Sequence, residues 1–180
     1  HGHWQKQTLF NNATKVPLIF AGPGIKNNKG NIEAPVELVD IYPTLMDMLN
    51  MQTPQFVQGK SLMPYFQGAR DPIRKNALTE LRVYTPTGWG EGYTLKTNRY
   101  RITQWQYKRN MYYELYDHKF DTEELNNIAG KVEYAFVQDS LRRVIQDRIA
   151  AAKETPDGLG LQIDFAKPWR EPKRIFPRAK

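Results

Sequence analysis

The sequence predicts an α/β chain: one buried strand and a helix, then an antiparallel sheet covered by a second helix. Three observations carry this expectation. Lys15 to Phe20 is a continuous apolar run closed by Ala21-Gly22-Pro23-Gly24. Four short runs rich in Thr, Tyr, Ile and Leu lie between Ala77 and Asp117. An apolar stripe at helical spacing then runs from Tyr134 to Ala152.

An unbroken apolar run bounded by Gly and Pro has the pattern of a strand buried on both faces. Pro17 has no N–H to give to a ladder, so it belongs near the strand start. Residues 25–33 are polar and rich in Gly and Asn, hence a loop. Val36, Val39, Tyr42, Leu45, Met46 and Leu49 recur at helical spacing with Pro43 among them. A short first turn followed by a helix that holds Pro43 near its first position reconciles the two. Gln52 to Arg74 is punctuated by Pro and Gly and connects.

The expected strands are Ala77 to Arg82, Tyr93 to Thr97, Arg99 to Trp105 and Tyr112 to Asp117, with a tight turn at Thr97-Asn98. Polar residues alternate through Arg99 to Trp105, which predicts one wet face. Tyr134, Val137, Leu141, Val144, Ile145, Ile149 and Ala152 mark an amphipathic helix over 132–154, ended by Pro156-Asp157-Gly158. Residues 1–74 thus form one unit, 75–160 a second, and 161–180 a basic tail. The first holds a single buried strand, which needs neighbours on both sides. Those must precede residue 1 or come from another chain.

The chain has 180 residues, 40% hydrophobic and 25% charged, which excludes whole-chain disorder, collagen and coiled coil. No apolar run approaches the roughly 20 residues that span a bilayer. The absence of cysteine removes disulfides, thiolate metal sites and a cysteine nucleophile. The start has neither the basic residues nor the apolar core of a signal peptide. Its first residue, His1 in place of an initiator Met, suggests a processed, tagged or excised chain.

The net charge of +7 is uneven. Residues 165–180 carry six basic side chains and one acidic, against twenty and eighteen in the preceding 164. Such a tail suits a polyanion. Pro168, Pro172 and Pro177, with Trp169, Ile175 and Phe176, suit better an extended strap on the chain's own surface.

Few residues offer chemistry. His1 and His3 have the spacing of a metal-binding pair, or of a tag remnant; His118 is the remaining histidine. Gly22-Pro23-Gly24 lacks the downstream Gly-Lys-Ser/Thr of a phosphate loop. Trp105-Gln106-Tyr107-Lys108-Arg109 interleaves aromatic and basic groups, as a stacking platform for nucleic acid or sugar does and as a sheet edge with its turn also does.

Four ordered stretches resemble the type I sulfatases, nearest the iduronate sulfatase and choline sulfatase branch. The first is His1-Gly2-His3-Trp4-Gln5-Lys6 leading into Val16-Pro17-Leu18-Ile19. The second is Val39-Asp40-Ile41-Tyr42-Pro43-Thr44-Leu45, and the third is Gln58-Gly59-Lys60-Ser61-Leu62. The last is Glu114-Leu115-Tyr116-Asp117 followed by Asp121, Glu124 and Asn126-Asn127. The resemblance implies the C-terminal third of an alkaline-phosphatase-like α/β fold. It implies hydrolysis of sulfate esters of a sulfated sugar or polysaccharide, in a periplasmic, secreted or lysosomal setting.

The resemblance also implies a calcium ion and a formylglycine nucleophile. The nucleophile arises from Cys/Ser-x-Pro-x-Arg, which neither Ser61 nor Ser140 begins. Both groups are therefore expected outside this chain, on an N-terminal sulfatase portion acting as partner or missing segment. By the same resemblance Lys6 is the catalytic residue that contacts the sulfate. His1, Arg82 and Trp89 are substrate-binding candidates, with Trp89 in a loop over Thr85 to Gly92. Nucleic acid and membrane are not expected partners. The rival readings are a basic module for polyanion or nucleic acid, whose affinity would fall steeply with salt, and a phosphatase or phosphonate hydrolase of the same superfold.

Overall fold

The computed structural model describes residues 1, 6–23, 25 and 31–154. His3, Trp4 and the basic tail with Trp169 and Phe176 lie outside the described residues. The helices are α1 (Asn11–Thr14), α2 (Ile41–Met48), α3 (Met63–Phe66) and α4 (Ala135–Lys153). The strands are β1 (Asn76–Thr85), β2 (Gly88–Thr97), β3 (Tyr100–Tyr107) and β4 (Asn110–Asp117). The strands pair in chain order as an antiparallel meander.

Period-2 pattern and β-branched and aromatic content make these strands. Leu78 faces Leu95, which faces Ile102, which faces Leu115. This row meets Ile145 and Ile149 of α4 and Ile128, and the six residues from Leu95 to Ile149 form the sheet–helix core with Tyr93. The α4 stripe therefore behaves as its spacing predicts, with Leu141, Val144 and Tyr134 flanking the core. A 3-10 turn, Val132–Tyr134, leads into α4. Another, Leu38–Asp40, leads into α2 with Pro43 in its first turn, as expected.

Three expectations are corrected. Val16 to Phe20 forms no strand and pairs with none among the described residues, and Ile19 is 84% exposed. A strand forms only where a neighbour accepts its ladder, and no described strand lies beside it. Next, Thr85 to Gly92 is not a loop. β1 and β2 pair out to Thr85 and Gly88, so the turn is only Pro86-Thr87, with Gly88 at φ 131°. Third, the polar face of the sheet is not wet. Thr94, Arg101 and Thr103 are each 1% exposed, because residues 8–14 and the loop after β4 lie over them. Trp105 and Leu9 meet above Gly92, where a Cβ would fall 2.4 Å from the indole and 2.8 Å from the leucine.

A polar node ties α2 to the sheet and to α4. Asp40 is fully buried. It accepts from Arg74 Nε at 2.7 Å and from Arg74 Nη2, from the Lys60 N–H at 2.7 Å and from the Glu37 N–H at 2.9 Å. Glu37 in turn accepts from the Leu78 N–H at 2.7 Å and from Arg148 Nη2 at 2.6 Å, and pairs with Arg74 at 3.1 Å. Thr44 donates to the Asp40 carbonyl and accepts from the Leu62 N–H. Gly59 brings the Lys60 amide to this site by passing 2.0 Å, measured from an ideal Cβ, from the Val39 carbonyl oxygen.

Burial alone would raise the Asp40 carboxyl. The hydrogen bonds from Arg74, Lys60 and Glu37 and the Arg74 charge outweigh it and hold the group below its ordinary 3.8. Asp40 therefore contributes stability that is present above pH 3.8 and lost as pH falls through the lower folded value. Asp40→Asn should cost roughly 3–5 kcal/mol at neutral pH, because Arg74 is left buried without its counter-charge. The wild-type advantage should shrink in denaturation curves taken below about pH 4; an advantage constant down to pH 2 would refute the charged node. Gly59→Ala should cost about 1–3 kcal/mol or more by overpacking against a backbone carbonyl, and an unchanged melting temperature would contradict this close approach.

Candidate functional site

The polar face of the sheet is organised by one cation. Arg101 projects from that face near the start of β3, in register with Lys96 and Tyr116. A guanidinium has five N–H donors and keeps its charge. Here all five are used. Nε donates to Glu124 Oε1 at 2.5 Å. Nη1 donates to the Leu9 carbonyl at 2.9 Å and Thr94 Oγ1 at 3.1 Å. Nη2 donates to Asn11 Oδ1 at 2.6 Å and Thr14 Oγ1 at 3.0 Å.

Glu124 completes the cluster. Its Oε1 also meets His118 Nε2 at 2.6 Å, and its Oε2 accepts the Asn11 N–H at 2.7 Å. Burial would raise this carboxyl; His118, Arg101 and Asn11 together lower it below its ordinary value. Burial also pushes Arg101 down, but a guanidinium does not release its proton at neutral pH, so the pair is ionic. The Glu124 backbone is left-handed, at φ 56°. Asp121 shapes this loop by accepting the Leu125 and Asn126 N–H groups. Asn127 accepts the Leu115 N–H at the end of the same run.

Two neighbours are electrostatically unusual. Burial, then repulsion from Arg101 and Lys15, lowers the Lys96 amine to about 8. It donates to the Thr97 and Asn98 carbonyls. Burial raises the Glu114 carboxyl, which accepts from the Tyr116 hydroxyl at 3.3 Å.

His1 stacks on Phe10 with ring centroids 3.9 Å apart, and its Nε2 lies 2.8 Å from the Glu123 carbonyl oxygen. Phe10 packs edge-on against Tyr116. Lys6 is exposed, with no hydrogen bond or ion pair among the described residues. Thr8 and Leu9, just after it, are buried.

Arg82 and Trp89 come together elsewhere. They line an open hollow of about 540 Å³ with Gly90, Glu91, Gln106 and Lys108. Trp89 is 67% exposed and edge-on to Tyr84. Arg82 pairs with Glu91 at 3.1 Å and Glu80 at 3.2 Å. The hollow sits on the α4 side of the sheet, since Glu91 also meets Lys153. The row Arg82–Glu91–Gln106 is five residues along β2 from Lys96–Arg101, about 17 Å. The structure thus brings His1 to the Arg101 side and sets Arg82 and Trp89 at the far end of the opposite face. Tyr107 to Arg109 are the end of β3 and the turn into β4.

Sequence reading did not find Arg101, Lys96 or His118 as site-forming residues. The one available signal was Glu124 in the Asp-x-x-Glu run, a spacing that does not name its partner.

Residues 1–151 match the family model described as N-sulphoglucosamine sulphohydrolase, C-terminal. Arylsulfatase K of Bos taurus is 30% identical over 140 residues, 73% of this chain and 25% of that protein. Delta 4,5-hexuronate-2-O-sulfatase of Bacteroides thetaiotaomicron is 29% identical over 165 residues, 87% of this chain and 32% of that protein. The solved structure of a 2-O GAG sulfatase superimposes with a TM-score of 0.66 at 29% identity, covering 76% of this chain and 30% of that one. The chain spans about a quarter to a third of the length of these relatives. None of them is an iduronate or choline sulfatase, so that finer branch rests on the motif resemblance.

Lys96 yields a pH test. Its folded value of about 8 lies below the ordinary 10.5, so the folded chain binds fewer protons than the unfolded chain between those values. Stability then rises with pH across that window. Relative to Lys96→Met, the wild-type chain should gain up to roughly 3 kcal/mol from pH 8 to 10.5. Urea denaturation at stepped pH reads this difference, and parallel profiles would refute the buried cation.

Proposed function

Because the chain belongs to the N-sulphoglucosamine sulphohydrolase C-terminal family, and so to the C-terminal part of the sulfatases, we propose that it serves the hydrolysis of sulfate esters on a sulfated sugar or polysaccharide. The observation that carries this reading is the family match across residues 1–151. Two relatives whose printed names specify sugar sulfates point the same way: the hexuronate-2-O-sulfatase and an N-acetylglucosamine-6-O-sulfatase of Bacteroides thetaiotaomicron, the latter 29% identical.

The calcium ion and formylglycine implied by the resemblance do not fit this chain's own residues. Among the described residues no three His, Asp or Glu side chains are grouped to hold a metal. The sequence has no cysteine and no Ser-x-Pro-x-Arg run. In this reading both groups belong to the N-terminal sulfatase portion. Apolar surface supports an association of that kind. Leu38, Val39, Tyr42, Leu45 and Leu49 on and around α2 are exposed, as are Val16, Leu18 and Ile19. Exposed large apolar side chains in such number suit an interface. The setting proposed is periplasmic, secreted or lysosomal; no described helix is long and apolar enough to cross a membrane.

The chain's own chemical contribution is Lys6. Cleaving a sulfate ester builds negative charge on the sulfuryl and leaving oxygens. An ammonium held beside them lowers the barrier only if it is in place before the charge develops. Lys6 has no carboxylate partner among the described residues, so it is available to an anion. Arg82 and Trp89 supply a cation and a sugar-stacking face, and in this reading they meet a more distant part of a polymeric substrate.

In the assembly with its N-terminal portion, Lys6→Ala should lower turnover of an aryl sulfate by roughly 2–4 kcal/mol of transition-state stabilisation. Lys6→Arg should not restore it, because a planar fork does not replace a compact ammonium. Steady-state kinetics with aryl sulfate and aryl phosphate side by side check both the residue and the chemistry. Near-wild-type activity would remove Lys6 from the site, and a preference for phosphate would overturn the sulfatase reading.

A further inference from the structure

We propose that Arg101 and Glu124 are positioning residues for Lys6: their buried ion pair clamps residues 9–14 onto the sheet and so fixes the point from which the lysine-bearing segment leaves. The inference rests on the reading of Lys6 as the sulfate-contacting residue and goes beyond it, because neither clamp residue touches substrate.

The clamp acts on a specific piece of chain. Of the five acceptors around Arg101, three come from the segment: the Leu9 carbonyl, Asn11 Oδ1 and Thr14 Oγ1. Glu124 takes the Asn11 N–H of the same segment. Leu9 is held at 3% exposure, beside Trp105 over Gly92. Three residues of extended chain reach at most about 11 Å, so the Lys6 backbone lies within that distance of a fully buried anchor. An ammonium on a flexible four-carbon stem gains in catalysis from every restriction on its base.

Glu124 itself shows that the arrangement is over-determined. A non-glycine residue at φ 56° occupies a sparsely populated backbone region. Such conformations persist where surroundings hold them, and they cluster at functional sites. Here Arg101, His118 and the Asn11 amide do the holding. A clamp built only to bury surface would use apolar groups at less cost, whereas an ion pair with five directed hydrogen bonds fixes register and angle.

The test uses the assembly with its N-terminal sulfatase portion and an aryl sulfate. Arg101→Lys keeps the charge and loses the fork; Asn11→Ala removes one acceptor from a half-buried site and leaves the ion pair in place. Arg101→Lys should lower kcat about tenfold or more, with KM within about twofold, because Lys6 acts as charge develops. Asn11→Ala should lower kcat in the same sense by less. Combined with Lys6→Ala, either substitution should cost nothing further in kcat, since its effect passes through the lysine. Full additivity with Lys6→Ala would overturn the proposal, as would wild-type kcat in both variants.

Hydrogen exchange gives a readout independent of activity. The amides of Asn11, Ala13 and Thr14 should lose protection selectively in Arg101→Lys, with strands β2 and β3 unchanged. Unchanged protection at those amides overturns the clamp. If Arg101→Lys fails to fold, Asn11→Ala decides by the same two readouts. A wild-type assembly inactive on sulfate esters refutes the reading of Lys6, and exchange at 11–14 then still decides whether the clamp exists.

Discussion

A buried guanidinium cannot shed its charge, so the chain must solvate it, and this constraint shapes the polar half of the molecule. Arg101 sits on a central strand at 1% exposure. Each of its N–H groups needs an acceptor, and each unmet one would cost about 1–3 kcal/mol. β2 supplies only Thr94. The remaining acceptors come from residues 9–14 and from Glu124. The N-terminal segment and the loop after β4 are thus drawn to one place by a requirement of β3, and Glu124 accepts a left-handed backbone to meet it.

The Asp40 node applies the same logic with the signs exchanged. There the fully buried group is an anion, and its donors come from Arg74 and from the backbone of Glu37 and Lys60. Glu37 passes the connection to Leu78 on β1 and to Arg148 on α4. Apolar packing of Leu95, Ile102 and Leu115 on Ile145 and Ile149 supplies bulk stability between sheet and helix. It does not specify where segments 8–14 and 57–74, with their single-turn helices α1 and α3, rest. The two ionic nodes do so, because hydrogen bonds have direction and apolar contacts do not.

The elements that followed from sequence are those whose signal is local. Four strands, their antiparallel pairing, the α4 stripe and the turn-plus-helix around Pro43 come from periodicity within a few residues. Two misreadings took a local pattern for more than it specifies. Alternation in Arg99 to Trp105 distinguishes polar from apolar faces, but not wet from buried, and a polar face fully supplied with partners is dry. The glycines of Thr85 to Gly92 suggest a loop, yet Gly90 and Gly92 sit in strand β2, where Gly92 leaves room for Trp105 and Leu9. The Val16 to Phe20 run carries a strand pattern, but pairing is a property of two segments and the second is not among those described. The nodes were illegible for a related reason: Arg101 and Leu9 are 92 positions apart and Glu37 and Arg148 are 111 apart. Of the candidate site, the motif likeness pointed to Lys6 and His1, while the residues that hold their surroundings carried no local mark.

The distribution of satisfied and unsatisfied surface fits a part that is completed by association. Inside, three ion pairs join the segments: Arg101 with Glu124, Arg74 with Asp40 and, nearer the surface, Arg148 with Glu37. Outside, around α2 and along residues 16–19, large apolar side chains stand in solvent. Directed polar contacts thus fix the irregular segments on the apolar sheet–helix core, and in the proposed reading the exposed apolar side chains meet the N-terminal portion. Lys6 has the same character on the scale of one residue. Among the described residues it is a cation without a hydrogen-bond or ion-pair partner, three residues before the buried Leu9. In the proposed reading the rigid anchor and the free charge belong together, since a transition-state contact requires a group that is both unoccupied beforehand and unable to wander.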